Sequence, residues 1–350
     1  MARYRSRVRA SVPVLAGVAL LANAACKPDL QQAVSIISRT QVLAARADPA
    51  EGAPKTEIQY SALVVDSSGP NHTPMDWAFC NEREPLAELG PVSPKCYQES
   101  GSWFSPVGIG TQVAAALPVV GCRQFGPEVP EPQANQPQGR PVDPDATGGY
   151  YQPVRILVPG STVIGVAETR LTCGLVGTPD QVAAFAHHYV ANVNPAIDSL
   201  SAGTSFFVTD ESGATNAIAV GESLSLEARW PECPRPTGGC GDQFCDLNET
   251  QASCPEDCAN VAGCSGAETY VNLDLATHSL VNQREAMQVS WFATAGAFDH
   301  DQTGRDTADL VNSSTNVWRA PDRPTTVHLW AVLRDDRGGT GWAEYLLDVH

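Results

Sequence analysis

The stretch Thr325–Val349 reads TTVHLWAVLRDDRGGTGWAEYLLDV, and its reading decides the fold. Val327, Leu329, Ala331 and Leu333 alternate with their neighbours, which is the period of two expected of a strand with one face on a core. After a turn of Asp336-Arg337-Gly338-Gly339, Ala343, Tyr345, Leu347 and Val349 alternate again. Two alternating strands joined by a glycine turn make an antiparallel hairpin. Arg334, Asp335, Asp336 and Arg337 read as a charged turn in water. Trp330 and Trp342 are offset from the core positions and are expected at the surface, where aromatic rings could stack on a glycan.

The same pattern extends toward the N-terminus. Met287, Val289 and Trp291 alternate, as do Leu224, Leu226, Ala228 and Trp230, and Ile58, Tyr60, Ala62 and Val64. VLAARADPAEGAP, residues 42–54, reads as an apolar stretch followed by turn residues. A strand, a turn and an alternating strand thus occur twice, which predicts two similar sandwiches. Residues 67–149 read mostly as loop, with the Pro-rich segment 126–149 too dense in proline for a sheet centre. Strands resume at YYQPVRILV (150–158) and TVIGVAETRLTC (162–173). One helix is signalled over 179–191 by Thr178-Pro179-Asp180, with Val182, Phe185, Ala186, Tyr189 and Val190 on its apolar face. His187 and His188 fall toward solvent, and adjacent helical residues do not converge on a metal.

The compartment is read from the first 26 residues. Arg3, Arg5, Arg7 and Arg9 precede an apolar run ending in small residues, the pattern of a signal peptide over 1–25. Ala24-Ala25-Cys26 resembles a bacterial lipobox, although Asn23 stands where that motif prefers Leu. The resemblance implies that Cys26 is lipidated (palmitate) and becomes the mature N-terminus, with a tether over 26–39. By the same resemblance Lys27, rather than Asp, makes the outer membrane the expected destination. Cysteine parity agrees: the chain has 11, and lipid on Cys26 leaves an even set for bridges in an oxidising compartment. Losing the leader removes four arginines and no acid, so the net charge of −17 becomes −21. That surface repels phosphate backbones, which argues against a nucleic-acid partner.

Residues 233–264 hold Cys233, Cys240, Cys245, Cys254, Cys258 and Cys264, in an insertion spanning 232–265. Zinc is disfavoured because exported thiols oxidise. A segment this short, with Phe244 and Leu247 as its large apolar side chains, needs bridges to hold it. The sharper expectation is calcium, a cofactor held by Asp242, Asp246, Asn248, Glu249 and Asp257, although the spacing is not that of an EF-hand. The core CGDQFCDLNETQASCPEDC resembles a disulfide-rich repeat of secreted bacterial proteins, with Gln243 where the repeat has Gly. For Cys80, Cys96, Cys122 and Cys173 three pairings are open, and Cys80 with Cys96 and Cys122 with Cys173 is preferred because each bridge then clips its own loop.

VSWFATAGAF and NVWRAPDRPTTVHLWAVLRDDRGGTGW resemble the last strands of an immunoglobulin-like or PKD-like domain. VLAARADPAEG, RLTCGLVGTP, YVANVNPAI and RDDRGGTGW resemble segments of lipoproteins of myxobacterial type. That resemblance implies fold and compartment and no activity. No nucleophile elbow, HExxH helix or Walker loop is present. Asp299, His300, Asp301, Asp306 and Asp309 read as a solvated loop. The expectation is therefore a mainly β chain of two Ig-like β-sandwich domains, 40–193 and 194–350, with one short helix and the inserted disulfide-rich module. It would be a non-catalytic envelope lipoprotein, structural, adhesive or ligand-binding, with an envelope protein or glycan as partner. The alternative is a surface hydrolase or its carbohydrate-binding accessory module.

Overall fold

A computed structural model describes residues 34–83, 92–128, 149–210, 215–259 and 262–350. The signal peptide, Cys26 and residues 26–33 of the tether lie outside them, as does most of the Pro-rich loop 126–149.

The chain is mainly β, built from sandwiches. The first sandwich begins with β1 (Gln41–Asp48), β2 (Glu51–Gly52), β3 (Glu57–Asp66), β4 (Gly69–Pro70) and β5 (Met75–Cys80). It continues with β6 (Phe104–Gly110), β7 (Gln112–Ala116), a short helix α1 (Gly121–Gln124), β8 (Gly149–Leu157) and β9 (Ile164–Thr172). One sheet runs β1-β3-β4 with β7 also on β3, and the other runs β2-β9-β8-β5-β6. Ile58, Tyr60, Trp77, Val154, Ile156 and Leu171 fill the space between them. β5, β6 and β7 lie where a loop was expected. β6 carries Pro106, Gly108 and Gly110, which are turn-type residues, yet it pairs with β5, whose Met75, Trp77 and Phe79 are buried on the core, across one register shift at Trp77/Ala78, while β7 pairs along β3. Residues 42–48, the apolar stretch counted as the first strand of the strand–turn–strand pattern, form β1 together with Gln41, paired along most of β3.

Helix α2 (Pro179–His188) follows, closed at its start by a capping box between Thr178 and Gln181. It stops three residues short of the expected end. Residues 189–194 form neither helix nor strand, and the side chains of Asn192 and Asn194 bond to distant strands. Phe185 is buried, but Val182 and Ala186 face solvent, so the apolar stripe is narrower than the sequence suggested.

The second sandwich starts with β10 (Ser199–Ala202), β11 (Ser205–Phe206), β12 (Asn216–Ile218) and β13 (Ser223–Arg229). After the cysteine module, with its turn of helix α3 (Pro255–Cys258), come the hairpin β14 (Thr269–Asp274) and β15 (Ser279–Arg284). β16 (Met287–Ala293), β17 (Ala297–Phe298), β18 (Gln302–Arg305), β19 (Ser313–Arg319), β20 (Thr325–Asp335) and β21 (Thr340–Val349) complete it. Its sheets run β11-β10-β13-β19-β17 and β12-β21-β20-β16-β18. In the closing hairpin Leu329 faces Tyr345 and Val327 faces Leu347. These side chains join Leu226, Trp291 and Trp318 in the larger core. The turn holds Gly338 at φ +97°, a conformation open to glycine without strain.

The outer face of β20 is not at the surface. Trp330 and Val332 are fully buried against Ile37, Leu43, Leu63 and Val65 of the first sandwich and its approach, with Trp342 and Phe292 partly buried beside them. The expected exposed aromatic strip is therefore absent at these two tryptophans, because the neighbouring sandwich covers that face. The end of the tether packs there too: the Ile37 N–H donates to Ala293 O at 2.9 Å, and the Ala293 N–H to Ser35 O at 2.8 Å.

Candidate functional site

Five disulfides hold the described chain: Cys80–Cys96, Cys122–Cys173, Cys233–Cys264, Cys240–Cys254 and Cys245–Cys258. The last three lie in the inserted module, where Cys240–Cys254 and Cys245–Cys258 interleave and Cys233–Cys264 closes around both. The module rests on the body of the protein: Leu247 packs against the buried cluster of Leu175, Phe185, Val271 and Leu273, as do Tyr189 and Leu280. His188 is buried under it, 3.7 Å from the Cys245 sulfur, rather than facing solvent. Burial, with the neighbouring His187, holds the His188 imidazole below its usual pKa.

The five candidate calcium ligands are placed as follows. Asp242 accepts from the backbone of Thr237 at 2.6 Å and of Phe244 at 2.9 Å. Asp257, buried, accepts from the backbone of Gly241 at 2.6 Å and Gln243 at 2.9 Å. Glu249 accepts from the Asp246 backbone at 3.0 Å, and Asp246 from Asn282 at 2.7 Å. Asn248 is exposed. Glu249 and Asp257 bring one oxygen each within 4.8 Å of the other, beside the Cys254 sulfur. These carboxylates thus stitch the turns between the bridges. Gln243 sits at φ +65°, the left-handed region that the repeat's usual Gly adopts freely.

A second cluster was not anticipated. Glu51, Arg170, Tyr189 and Asn192 meet beside Asp335, Arg337, Glu268 and Glu285. The Glu51 carboxylate accepts from Arg170 Nε (3.2 Å), Thr172 Oγ1 (2.9 Å), the Tyr189 hydroxyl (2.5 Å) and the Asn192 N–H (3.0 Å). Arg337, only 1% exposed, donates to Glu285 (2.7 Å), to Val190 O (2.9 Å) and to Glu268, and lies 4.6 Å over the Tyr270 ring. Asp335 Oδ1 accepts from Asn192, from the Arg337 N–H and from the Gly339 N–H at 2.7 Å, while Oδ2 is buried without a partner. Asn194 spans the two sandwiches, donating to Ala47 O at 2.6 Å and accepting from the Thr340 N–H at 3.0 Å. The supposed solvated turn at 334–337 is therefore largely interior. Arg337 finds opposite charges, and Arg334 and Asp335 find neutral partners, on other elements, which their spacing along the chain does not reveal.

This cluster carries more acid than base. Burial, only partly offset by Arg337, pushes Glu268 up to about 7, and it raises Glu285 and Asp335 as well. Burial pulls the Arg337 pKa down, but Glu285 and Glu268 outweigh it and hold the guanidinium charged. Each of the four segments singled out by the lipoprotein resemblance supplies a member: Glu51, Arg170, Tyr189 with Asn192, and Asp335 with Arg337. The signal in the sequence was a charged residue inside an otherwise strand-like run, as at Arg170 in GVAETRLTC.

Beside this joint lies a cleft of ≈ 410 Å³, walled by Val42, Ile156, Ile164 and Val166 and edged by Glu168 and Arg334. Burial alone pushes Glu168 up to about 7. Asp299, His300, Asp301 and Asp306 are exposed, and Asp309 pairs with Arg305 at 3.0 Å.

Fold and site define a disulfide-stapled, two-sandwich β protein with a buried charged joint. No family model matches the chain, and no curated protein matches it. Among solved structures it is similar to three N-terminal domains of the highly immunogenic outer capsid protein of bacteriophage RB49, at 7% identity and TM-score 0.18, covering 89% of this chain and 70% of that one. Latent PorU of Porphyromonas gingivalis aligns at 12% identity and TM-score 0.19, over 90% of this chain and 24% of its own. Fibronectin(III)-like modules of Clostridium thermocellum CbhA align at 8% identity and TM-score 0.18, over 87% and 93%.

Proposed function

We propose that the chain is an exported envelope lipoprotein, anchored through Cys26, that acts as a rigid, non-catalytic scaffold with a structural, adhesive or ligand-binding role. The observation that carries this reading is the joint. Two sandwiches share a buried apolar contact at Trp330 and a buried ionic cluster at Arg337, so a surface built across both is held in one geometry. The last described tether residues are hydrogen-bonded beside that contact. Its partner would be an envelope protein or a glycan. Among the described residues no helix is long and apolar enough to cross a membrane, so in this reading attachment rests on lipid.

The test is twofold. Metabolic labelling with a palmitate analogue should tag the wild type and not Cys26→Ser, and crosslinking from intact cells should capture a discrete envelope partner with the anchored form alone. An unlabelled wild-type protein found wholly in the medium would overturn the reading. The alternative, a surface hydrolase or its carbohydrate-binding module, draws on the cleft edged by Glu168. Glycan release abolished by Glu168→Gln would favour it.

A further inference from the structure

We propose that Asp210, His328 and Glu344 form a binding site for one divalent transition-metal ion, zinc being the best fit, at the rim of the contact between the sandwiches. The three residues are far apart in sequence and sit on separate elements: Asp210 after β11, His328 on β20 and Glu344 on β21. Yet one ligand atom from each lies within 4.8 Å of the others. His328 Nδ1 is 3.0 Å from a Glu344 oxygen. Glu344 stands opposite Trp330 on the neighbouring strand, so it meets His328 diagonally on the same face of the sheet.

The imidazole is held in place before any ion arrives. Its backbone N–H donates to Thr294 Oγ1 at 3.0 Å, and its ring stacks on Trp330 with centroids 5.8 Å apart and planes 13° apart. On its other side it packs against Gly69 of the first sandwich, where an added Cβ would come within 2.6 Å of Nε2. Gly69 also has φ +123°, so both space and backbone call for glycine there. Nε2 is therefore covered, and Nδ1 is the nitrogen that faces the Glu344 carboxylate.

The donor set decides the class of ion. Calcium and magnesium prefer six or more oxygens, whereas one imidazole with two carboxylates suits zinc and its first-row neighbours. Three protein ligands leave a fourth position for water, and all three residues are partly exposed, so solvent can reach it. Asp66 adds further negative charge, since its carboxylate is close enough to feel His328. Glu344, hydrogen-bonded to the imidazole, and Asp210 beside it gather two carboxylates whose charge a dication would neutralise.

The experiment uses the exported chain lacking its leader, stripped with EDTA, titrated with zinc chloride by calorimetry and with cobalt(II) by visible absorption. Expected is one zinc per chain in the micromolar range, and a cobalt spectrum of low coordination number. Asp210→Asn and Glu344→Gln should each weaken zinc about tenfold or more, and His328→Asn should abolish the cobalt bands. Gly69→Ala should weaken binding through the displaced ring, whereas His187→Asn should not change it. Circular dichroism confirms that the variants fold; Asp210→Asn alters a partly exposed loop residue and keeps the test available if His328→Asn fails to fold. Zinc affinity equal in wild type, Asp210→Asn and Glu344→Gln would overturn the proposal, as would a failure of wild type to bind zinc in that range.

Discussion

Arg337 lies between Gly338 and two acids, a setting that in sequence reads as a solvated turn, yet its guanidinium is fully interior and bonded to Glu268 and Glu285. A buried ion pair gains little over an apolar isostere, but removing one partner leaves an uncompensated charge. Arg337→Met is therefore expected to destabilise by about 3–5 kcal/mol in urea melts at pH 7.5. The loss should shrink at pH 5, where Glu268 and Glu285 can take up protons; an equal loss at both would mean that the acids are not stranded. Gln243 supplies a milder case. A non-glycine residue at φ +65° carries local strain, so Gln243→Gly should raise stability by about 0.5–1 kcal/mol, the span between ordinary residues and glycine in such positions. A drop in melting temperature would show instead that the Gln side chain contributes contacts to the module.

At the scale of elements, β20 was read correctly as a strand and incorrectly as one-faced. Its inward residues Val327, Leu329 and Leu333 reach the core that the alternation indicates. Trp330 is equally buried because a different sheet, 265 or more positions earlier in the chain, covers the other face, and periodicity within one strand carries no information about that. Trp330→Ala should cost about 3–5 kcal/mol, the usual range for a fully buried aromatic. Trp330→Phe should cost far less, because it also removes a buried indole N–H that has no acceptor. Equal losses would place the cost in the ring's outer edge rather than in the cavity. The alternating strands, the closing hairpin and the N-cap at Thr178 were legible because each is local. β5 to β7 were not, since β6 carries Pro106, Gly108 and Gly110, which resemble turn signals, and only pairing with distant strands makes strands of the three. The joint was least legible of all: Glu51, Arg170, Asn192 and Arg337 are separated by up to 286 positions, and nothing near any one of them names its partners.

For the whole molecule, the buried acids set how stability responds to pH. Glu168 and Glu268 have folded-state pKa values raised to about 7 from an ordinary 4.5, so the folded chain holds protons that the unfolded chain has released. Their effect is fully favourable below about pH 4.5 and is lost as pH rises through about 7, on the order of 3 kcal/mol for each group. Asp66, Glu227 and Asp242 work in the opposite sense, since hydrogen bonds lower their values and their contribution disappears in acid. Stability should then peak between about pH 4.5 and 6, below neutrality. General repulsion in a chain of net charge −17 has the same sign but is screened by salt, whereas desolvation of Glu168 is not. Urea midpoints measured from pH 4 to 8 in high salt separate the two. Glu168→Gln should flatten part of the decline between pH 5 and 8 and leave the acid limb alone. A wild-type midpoint that keeps rising through pH 8, or a Glu168→Gln profile parallel to wild type, would show that water reaches these carboxyl groups and that the cleft beside the joint is open to solvent.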